Sequence, residues 1–320
     1  MRRRLRDNRG SALILTILVV GLIVVLTVEF NSNMRAHFHA AANVKEGLRL
    51  VNIAKSGVEY AVAVLFEDAQ KTDSDTLNEI WADSKALSSN LSAMFEEGRF
   101  EITVQDHSGK IQINQLVDSS EQKDLFSRFL SQEEFGLESE EIDDLIDAIT
   151  DWIDPDDEVT GFGAENTYYQ SLPEPYSCKN GPFDFLEDLM LVRGVTKELF
   201  YGKEGRKGLS GYLTVHGDGK ININTADTLV LMSLSEDIDR ERAEDMIAYR
   251  NDKDNNLDGP TWYKKVPGMS DVVIAPSLVT TSSIWFDIES RGIKEAMYRQ
   301  VNAMVKREGD SLQIISWKTE

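Results

Sequence analysis

Acidic side chains crowd one loop in the middle of the chain, and carboxylate oxygens are the hard ligands that calcium prefers. The candidate ligands are Asp151, Asp154, Asp156, Asp157, Glu158 and Glu165. The interval from Asp154 to Glu165 has the length of a twelve-residue EF-hand loop, but Val159 stands where such a loop requires glycine. The loop is therefore not an EF-hand. A structural calcium site of another kind and a plain solvated acidic loop both remain open.

Other chemistry finds little support in the sequence. The pairs Gly109-Lys110 and Gly219-Lys220 are each followed by isoleucine, where a phosphate-binding loop needs serine or threonine. The four histidines are too scattered to form a ligand cluster, and the single cysteine, Cys178, excludes an internal disulfide and a multi-thiolate zinc site. We therefore expect no catalytic residues, no enzymatic activity and no cofactor, with structural calcium as the one possible exception.

The charge balance argues against a nucleic-acid partner. The chain has 34 basic and 55 acidic residues, a net charge of −21, whereas phosphate binding needs clustered lysine and arginine. The segment 221–250 resembles the helix-hairpin-helix module of DNA-uptake proteins. That module binds phosphates through a Gly-hydrophobic-Gly hairpin, and this chain has Ser235–Asp239 there, with three acidic residues. We expect the shared fold without DNA binding.

The amino terminus has the pattern of a membrane anchor. Five arginines lie within residues 1–10, and Ser11–Val28 is an uncharged stretch of 18 residues, long enough to span a bilayer. The basic flank predicts a cytoplasmic amino terminus and a periplasmic bulk. A cleaved secretory signal and an ordinary signal anchor are the alternatives. The junction Gly10-Ser11 resembles a type IV prepilin-class leader, which implies cleavage after Gly10 by prepilin peptidase.

The helix is predicted to continue well past the membrane. From residue 29 to 70 there is no proline, so the whole helix would be roughly 90 Å long at 1.5 Å per residue. One apolar stripe at helical spacing runs along this second half and predicts the packed face. Its members are Val44, Leu48, Val51, Val58, Val62 and Leu65. We expect this stripe to pack partly on the protein's own sheet and partly on partner stems.

The remainder predicts strands at both ends of a helical region, which is an α+β arrangement. Alternating polar and apolar residues at 99–104 indicate a strand, and three strands are expected at 284–289, 296–305 and 312–317. Short helices are expected around 76–87 and 185–192. The hexad at 109–114 is echoed at 219–224, and each copy predicts a strand that leads into a helical segment, followed by an acidic helix at 139–153 in the first copy and at 239–249 in the second. This echo suggests an internal duplication.

A stem helix, strands, a large helical insertion and closing strands together resemble the minor pseudopilin K family of the type II secretion system. The shared motifs are Asp151-Trp152-Ile153-Asp154, Gly163-Ala164-Glu165 with a tyrosine following, and Gly219-Lys220-Ile221-Asn222-Ile223-Asn224. Most pilins have glutamate at the fifth mature position, but this family lacks it, and here the position is Leu15. Calcium binding in the family's helical domain favours the acidic loop as a site.

The resemblance implies a division of the chain and a role. The expected segments are a leader (1–10), a transmembrane stem (11–28), a periplasmic stem (29–70), an antiparallel pseudopilin sheet (71–114 and 276–320) and an inserted all-helical, SAM- or helix-hairpin-helix-like domain (115–275). The implied role is at the tip of the secretion pseudopilus, where the protein initiates assembly and supports export across the outer membrane. Implied partners are the I-, J- and H-type minor pseudopilins, the major pseudopilin, prepilin peptidase and the bacterial inner membrane. A minor pilin of a type IV pilus and a membrane-anchored DNA-uptake protein are the alternatives.

Overall fold

The computed structural model describes residues 9–89, 95, 97–117, 119–309 and 311–320. Eight helices and eight strands are described in these ranges, together with short 3₁₀ turns. The helices are α1 (Arg9–Ala69), α2 (Ser84–Ser89), α3 (Ser120–Leu130), α4 (Ser139–Ile153), α5 (Asn166–Gln170), α6 (Lys197–Tyr201), α7 (Thr228–Ser233) and α8 (Arg240–Asn251). The strands are β1 (Arg99–Asp106), β2 (Ile111–Gln112), β3 (Leu213–Thr214), β4 (Ile221–Asn222), β5 (Val279–Thr280), β6 (Trp285–Lys294), β7 (Met297–Glu308) and β8 (Ser311–Thr319).

Helix α1 is a single element of 61 residues that forms the stem of the molecule. Residues 10–45 are exposed throughout, and burial begins at residue 46. No proline interrupts the segment, so the backbone hydrogen-bond ladder continues from the apolar half into the amphipathic half. Residues 1–8 of the expected leader lie outside the described residues.

A four-stranded antiparallel sheet covers the second half of the stem. Its order is β1-β6-β7-β8, so β1 pairs with a strand that follows it by almost 180 residues. The buried side chains of β1 alternate with exposed ones, as expected for a sheet with one face against a helix. The helical region lies between β1 and β6 in the chain, so the strand that pairs with β1 follows the insertion in the sequence.

The packed face of α1 coincides with the predicted apolar stripe in part, as expected for a stripe that packs only partly on the protein's own sheet. Val58 and Leu65 are buried, but Val44 and Leu48 are each 64% exposed, and Val51 and Val62 are only half-buried. The core face is instead formed by Leu50, Ile53, Ala54, Val58, Ala61 and Leu65. Small residues explain the difference, because a Cβ at Gly57 would collide with the Ser290 hydroxyl of β6. The sheet packs closely against the small residues of the helix. A search for large apolar residues at helical spacing does not select such positions.

The inserted region has a hydrophobic core of its own, separate from the core between stem and sheet. The two copies of the repeated hexad share one local geometry. In the first, the Asn114 amide N–H donates to the Gln112 side chain at 2.5 Å, and in the second, Asn224 donates to Asn222 at 2.9 Å. Each copy also forms a short parallel pair, β2 with β3 and β4 with β5.

Several local predictions need correction. The helix expected around 185–192 is a 3₁₀ turn at Leu186–Leu191, and the one expected at 76–87 is a 3₁₀ turn at Ile80–Ala82 followed by α2. The strand expected over 109–114 is limited to the two residues of β2. In each case polar side chains compete for the backbone amides, as Asp188 does at its turn.

Candidate functional site

The first candidate site is the exposed half of α1. This is the one described helix that is long and apolar enough to cross a membrane, by length and composition. Gly10 and Ser11 lie in the first turns of that helix and are both exposed. A Cβ placed at Gly10 would meet no atom of the described chain within 4 Å. Within the described part of the chain, no atom therefore packs against the helix at Gly10.

The second candidate site is the acidic loop that follows α4. Asp151 lies in the last turn of α4, Asp154 caps its carboxyl end, and Glu165 is the N-cap of α5. One carboxylate oxygen from each of these residues lies within 4.8 Å of the others. Helix α4 fixes the first two residues because it begins with a capping box and buries an apolar face. Gly163 lets the loop return, since a Cβ there would collide with Asp151 Oδ2.

Three carboxylate oxygens at this site lack a hydrogen-bond partner although they are buried. They are Asp151 Oδ2, Asp154 Oδ1 and Glu165 Oε1. Asp151 is completely buried and Glu165 is 2% exposed. Burial, with the nearby carboxylates of Asp151 and Asp154 acting in the same direction, raises the pKa of Glu165 to about 7. Burial followed by neighbouring acids also raises the pKa of Asp154, and burial that of Asp151.

The other three predicted ligands lie outside this group. Asp156, Asp157 and Glu158 are exposed. Asp156 accepts a hydrogen bond from the Glu158 amide at 2.8 Å, and Asp157 accepts one from the Asn180 side chain at 3.0 Å. These contacts shape the loop rather than converge on the three buried oxygens. The geometry thus brings together half of the predicted ligand set.

The chemistry of the three converging residues fits a calcium ion. All three offer anionic oxygen, and mutual repulsion between unpartnered buried carboxylates is relieved by a divalent cation. Loop carbonyls and water would complete the six to eight oxygen ligands that calcium takes. The arrangement offers no sulfur or nitrogen ligand, which disfavours zinc.

A further acidic cluster was missed by the sequence reasoning. Asp68, Asp75 and Glu79 bring carboxylate oxygens within 4.8 Å of one another at the end of the stem. The Arg307 guanidinium of β7 donates to both oxygens of Asp75, at 2.7 and 2.9 Å, and lies 3.9 Å from Asp68. Burial raises the pKa of Asp68 to about 7, with Glu79 and Asp75 adding to the effect. The guanidinium of Arg307, more than 200 residues away in sequence, therefore supplies the positive charge that a metal ion could supply at this cluster.

The helix pair α7–α8 corresponds to the part that resembles a helix-hairpin-helix module. The connection between the two helices contains Glu236 and Asp237, both exposed. Asp239 is the N-cap of α8 and accepts from the Arg242 amide at 2.9 Å. Carboxylates thus stand where a DNA-binding hairpin would present free amides to phosphate, so the geometry disfavours DNA binding at this connection.

Comparisons with known proteins give the same family description along most of the chain. Two family models described as type II secretion system protein K match residues 109–202 and 221–274. The chain is 27% identical to type II secretion system protein K of Pseudomonas aeruginosa over 259 residues, 77% of this chain and 73% of the relative. It is 27% identical to the protein of the same name from Aeromonas hydrophila over 211 residues, 61% of each chain.

A solved structure has the same fold. It is the crystal structure of the GspK-GspI-GspJ complex from enterotoxigenic Escherichia coli, matched with a TM-score of 0.70 at 15% identity. The match covers 88% of this chain and 99% of that one. The large sheet, the stem and the inserted helical region are therefore a recurring architecture.

Proposed function

We propose that this chain, which is similar to type II secretion system protein K over most of its length, is a minor pseudopilin that initiates the secretion pseudopilus and forms its tip. In this role α1 anchors the precursor in the inner membrane, with its basic end cytoplasmic and both folded regions in the periplasm. Prepilin peptidase then cuts between Gly10 and Ser11, and the released stem enters the filament. The protein supports export mechanically and has no catalytic role.

The observation that carries this proposal is the continuity of α1. A plain anchor needs only about 20 apolar residues, whereas this helix runs from the apolar stretch directly into the core beneath the sheet. A stem that is rigid through the membrane boundary transmits a pull on the membrane part to the folded head. This is the requirement for a subunit that leaves the bilayer and enters a filament.

Cleavage is tested by mass spectrometry of the protein from cells with active prepilin peptidase. The wild-type chain should begin at Ser11, and Gly10→Leu should retain its first ten residues. Gly21→Leu is the matched control, because a Cβ at either glycine meets nothing within 4 Å and both lie in the exposed part of α1. An uncleaved wild-type chain would refute the filament role and leave a membrane-anchored module.

The exposed apolar residues of the periplasmic stem support contact with other pseudopilins. Phe38, Val44 and Leu48 are each 64% exposed or more and lie between the membrane stretch and the protein's own core. We assign these residues to contacts with the stems of I-, J- and H-type minor pseudopilins and of the major pseudopilin. The similar GspK is found in a complex with GspI and GspJ.

The size of the inserted helical region supports a place at the tip. The region 115–275 is carried between β1 and β6, and a subunit stacked directly above would meet it. Replacing 107–284, which contains the whole core of the insertion, by a short linker between the paired ends of β1 and β6 should leave α1 and the sheet core intact but impair secretion in a strain lacking the chromosomal gene. Normal secretion by the shortened protein, verified to be cleaved and membrane-inserted, would contradict this steric role.

We assign the acidic loop a structural calcium ion held by Asp151, Asp154 and Glu165. The ion would supply positive charge to three buried carboxylates and tie the loop to α4 and α5. It would thus hold the fold of the inserted region and take no part in a reaction.

A further inference from the structure

A crevice of about 330 Å³ lies where the inserted region meets the stem-and-sheet region. Trp81 and Val104 form its wall on the sheet side, and Tyr212 and Val230 form its wall on the helical side. These four side chains are at most 7% exposed, so the walls of the crevice belong to the packed interior of the two regions. Charged side chains that belong to neither hydrophobic core also line the crevice.

Arg250 of α8 lines the crevice and is 5% exposed. Its Nη1 donates to the Ile223 carbonyl at 2.9 Å, while its Nε is buried without a hydrogen-bond partner. Among the described residues, no carboxylate oxygen lies within the 4.0 Å of an ion pair with this guanidinium. Burial accordingly lowers the pKa of Arg250 to about 10.

Lys110 also lines the crevice and has no ion-pair partner within 4.0 Å in the described part of the chain. Burial lowers the pKa of its ammonium group, and the carboxylates of Asp287 and Asp106 face it only from beyond ion-pair distance. Asp106 is fully engaged by other donors, since it accepts from the Thr225 hydroxyl, the Ser283 hydroxyl and the Ser108 amide.

Three other charged groups line the crevice. Asp106 is held by the three neutral donors named above, and Lys207 pairs with Asp227 at 3.4 Å. Asp227 acts on Arg250 only from beyond ion-pair distance. Arg250 and Lys110 are thus the two cations of the crevice that lack a carboxylate partner among the described residues. Buried charges in proteins are ordinarily paired, because removing an ion from water without compensation costs several kcal/mol.

We propose that this crevice binds a small organic carboxylate, with the carboxylate on Arg250 and Lys110 and an apolar body against Trp81 and Tyr212. A guanidinium and an ammonium together supply charge-assisted hydrogen bonds to an oxyanion. The volume accommodates a molecule of the size of benzoate, and the aromatic walls favour an apolar body over a fully hydrated anion. The bound molecule would touch both regions and hold them together.

The test is isothermal titration of the full chain in nonionic detergent, with benzoate, acetate and chloride at constant ionic strength. We expect saturable benzoate binding that is tighter than acetate binding. Lys110→Gln should weaken benzoate binding at least about tenfold, the effect of losing one charge-assisted contact. Lys253→Gln is the matched control, because Lys253 is exposed and lies away from the crevice.

Arg250→Met gives a second comparison, although the loss of its contact with Ile223 also affects folding. The Lys110→Gln variant keeps the proposal falsifiable if Arg250→Met does not fold. Benzoate heats identical to those of chloride, equal affinities for acetate and benzoate, or unchanged binding by Lys110→Gln would each overturn the assignment.

Discussion

Protons and calcium should compete for Glu165, and this competition sets a pH dependence of known sign. Without calcium, Glu165 has a pKa of about 7, above the ordinary value of 4.5 for glutamate. The folded state therefore binds its proton more tightly than the unfolded state, and the stability of the calcium-free protein falls as pH rises from about 4.5 to 7. Calcium needs the deprotonated carboxylate, so its affinity rises over the same interval and levels off above it.

The size of the effect follows from the titration of one group. A carboxyl with a pKa of about 7 is about 9% ionised at pH 6 and about 91% ionised at pH 8, so calcium affinity should rise about tenfold. At a calcium concentration 100 times the dissociation constant at pH 8, binding stabilises the fold by about 2.7 kcal/mol. At pH 6 the same concentration should give only about 1.4 kcal/mol.

The assay is thermal unfolding of a fragment from residue 31 to the end, with and without millimolar calcium, at pH 6 and pH 8. Glu165→Gln should abolish both the calcium shift and most of its pH dependence, while the amide oxygen can still cap α5. Glu158→Gln is the control, since this exposed residue lies on the same loop but outside the converging group. The reasoning fails if millimolar calcium gives no shift at pH 8, or if both variants respond alike.

Two predictions concern the packing of the stem, each measured by chemical denaturation of the same fragment. Asp75→Asn removes the shorter of the two carboxylate contacts of the buried Arg307 and leaves Asp68 at 3.9 Å, so it should cost up to about 3–5 kcal/mol. Lys71→Met breaks only an exposed ion pair and should change stability by less than about 0.5 kcal/mol. Gly57→Ala should destabilise by about 1–3 kcal/mol because its Cβ has no room beneath the sheet, while Gly47→Ala, with only ordinary contacts, should stabilise by up to about 1 kcal/mol. Equal effects within either pair would contradict the packing described here.

Sequence patterns spanning a few residues predicted the helices that are fixed by interactions within a few residues. Helix α4 begins and ends at the predicted residues, because its acidic first turn, apolar period and following proline all act within a few residues. The long helix ends one residue before the predicted boundary. The α+β arrangement also followed from the order of strands and helices along the chain.

Contacts between residues far apart in the chain could not be predicted from the sequence. Arg307 neutralises Asp75 across 232 residues, and neither position carries a motif that marks the pair. The short parallel pairs β2–β3 and β4–β5 are held by two residues each, too few for a periodic signal. In the acidic loop, the sequence named the correct region but could not separate the converging carboxylates from those that cap turns.

The exposed part of the predicted apolar stripe bears on assembly. Val44 and Leu48 obey the helical period of core residues, yet the sheet lies along Ala54, Gly57 and Ala61 instead. An aqueous surface gives no reason for valine and leucine to continue that period above the sheet. A second helix packed on this side of α1 would bury them, as the proposed filament requires. The stem thus packs Ala54, Gly57 and Ala61, together with larger residues beside them, against its own sheet, and in the proposed filament Val44 and Leu48 pack against its neighbours.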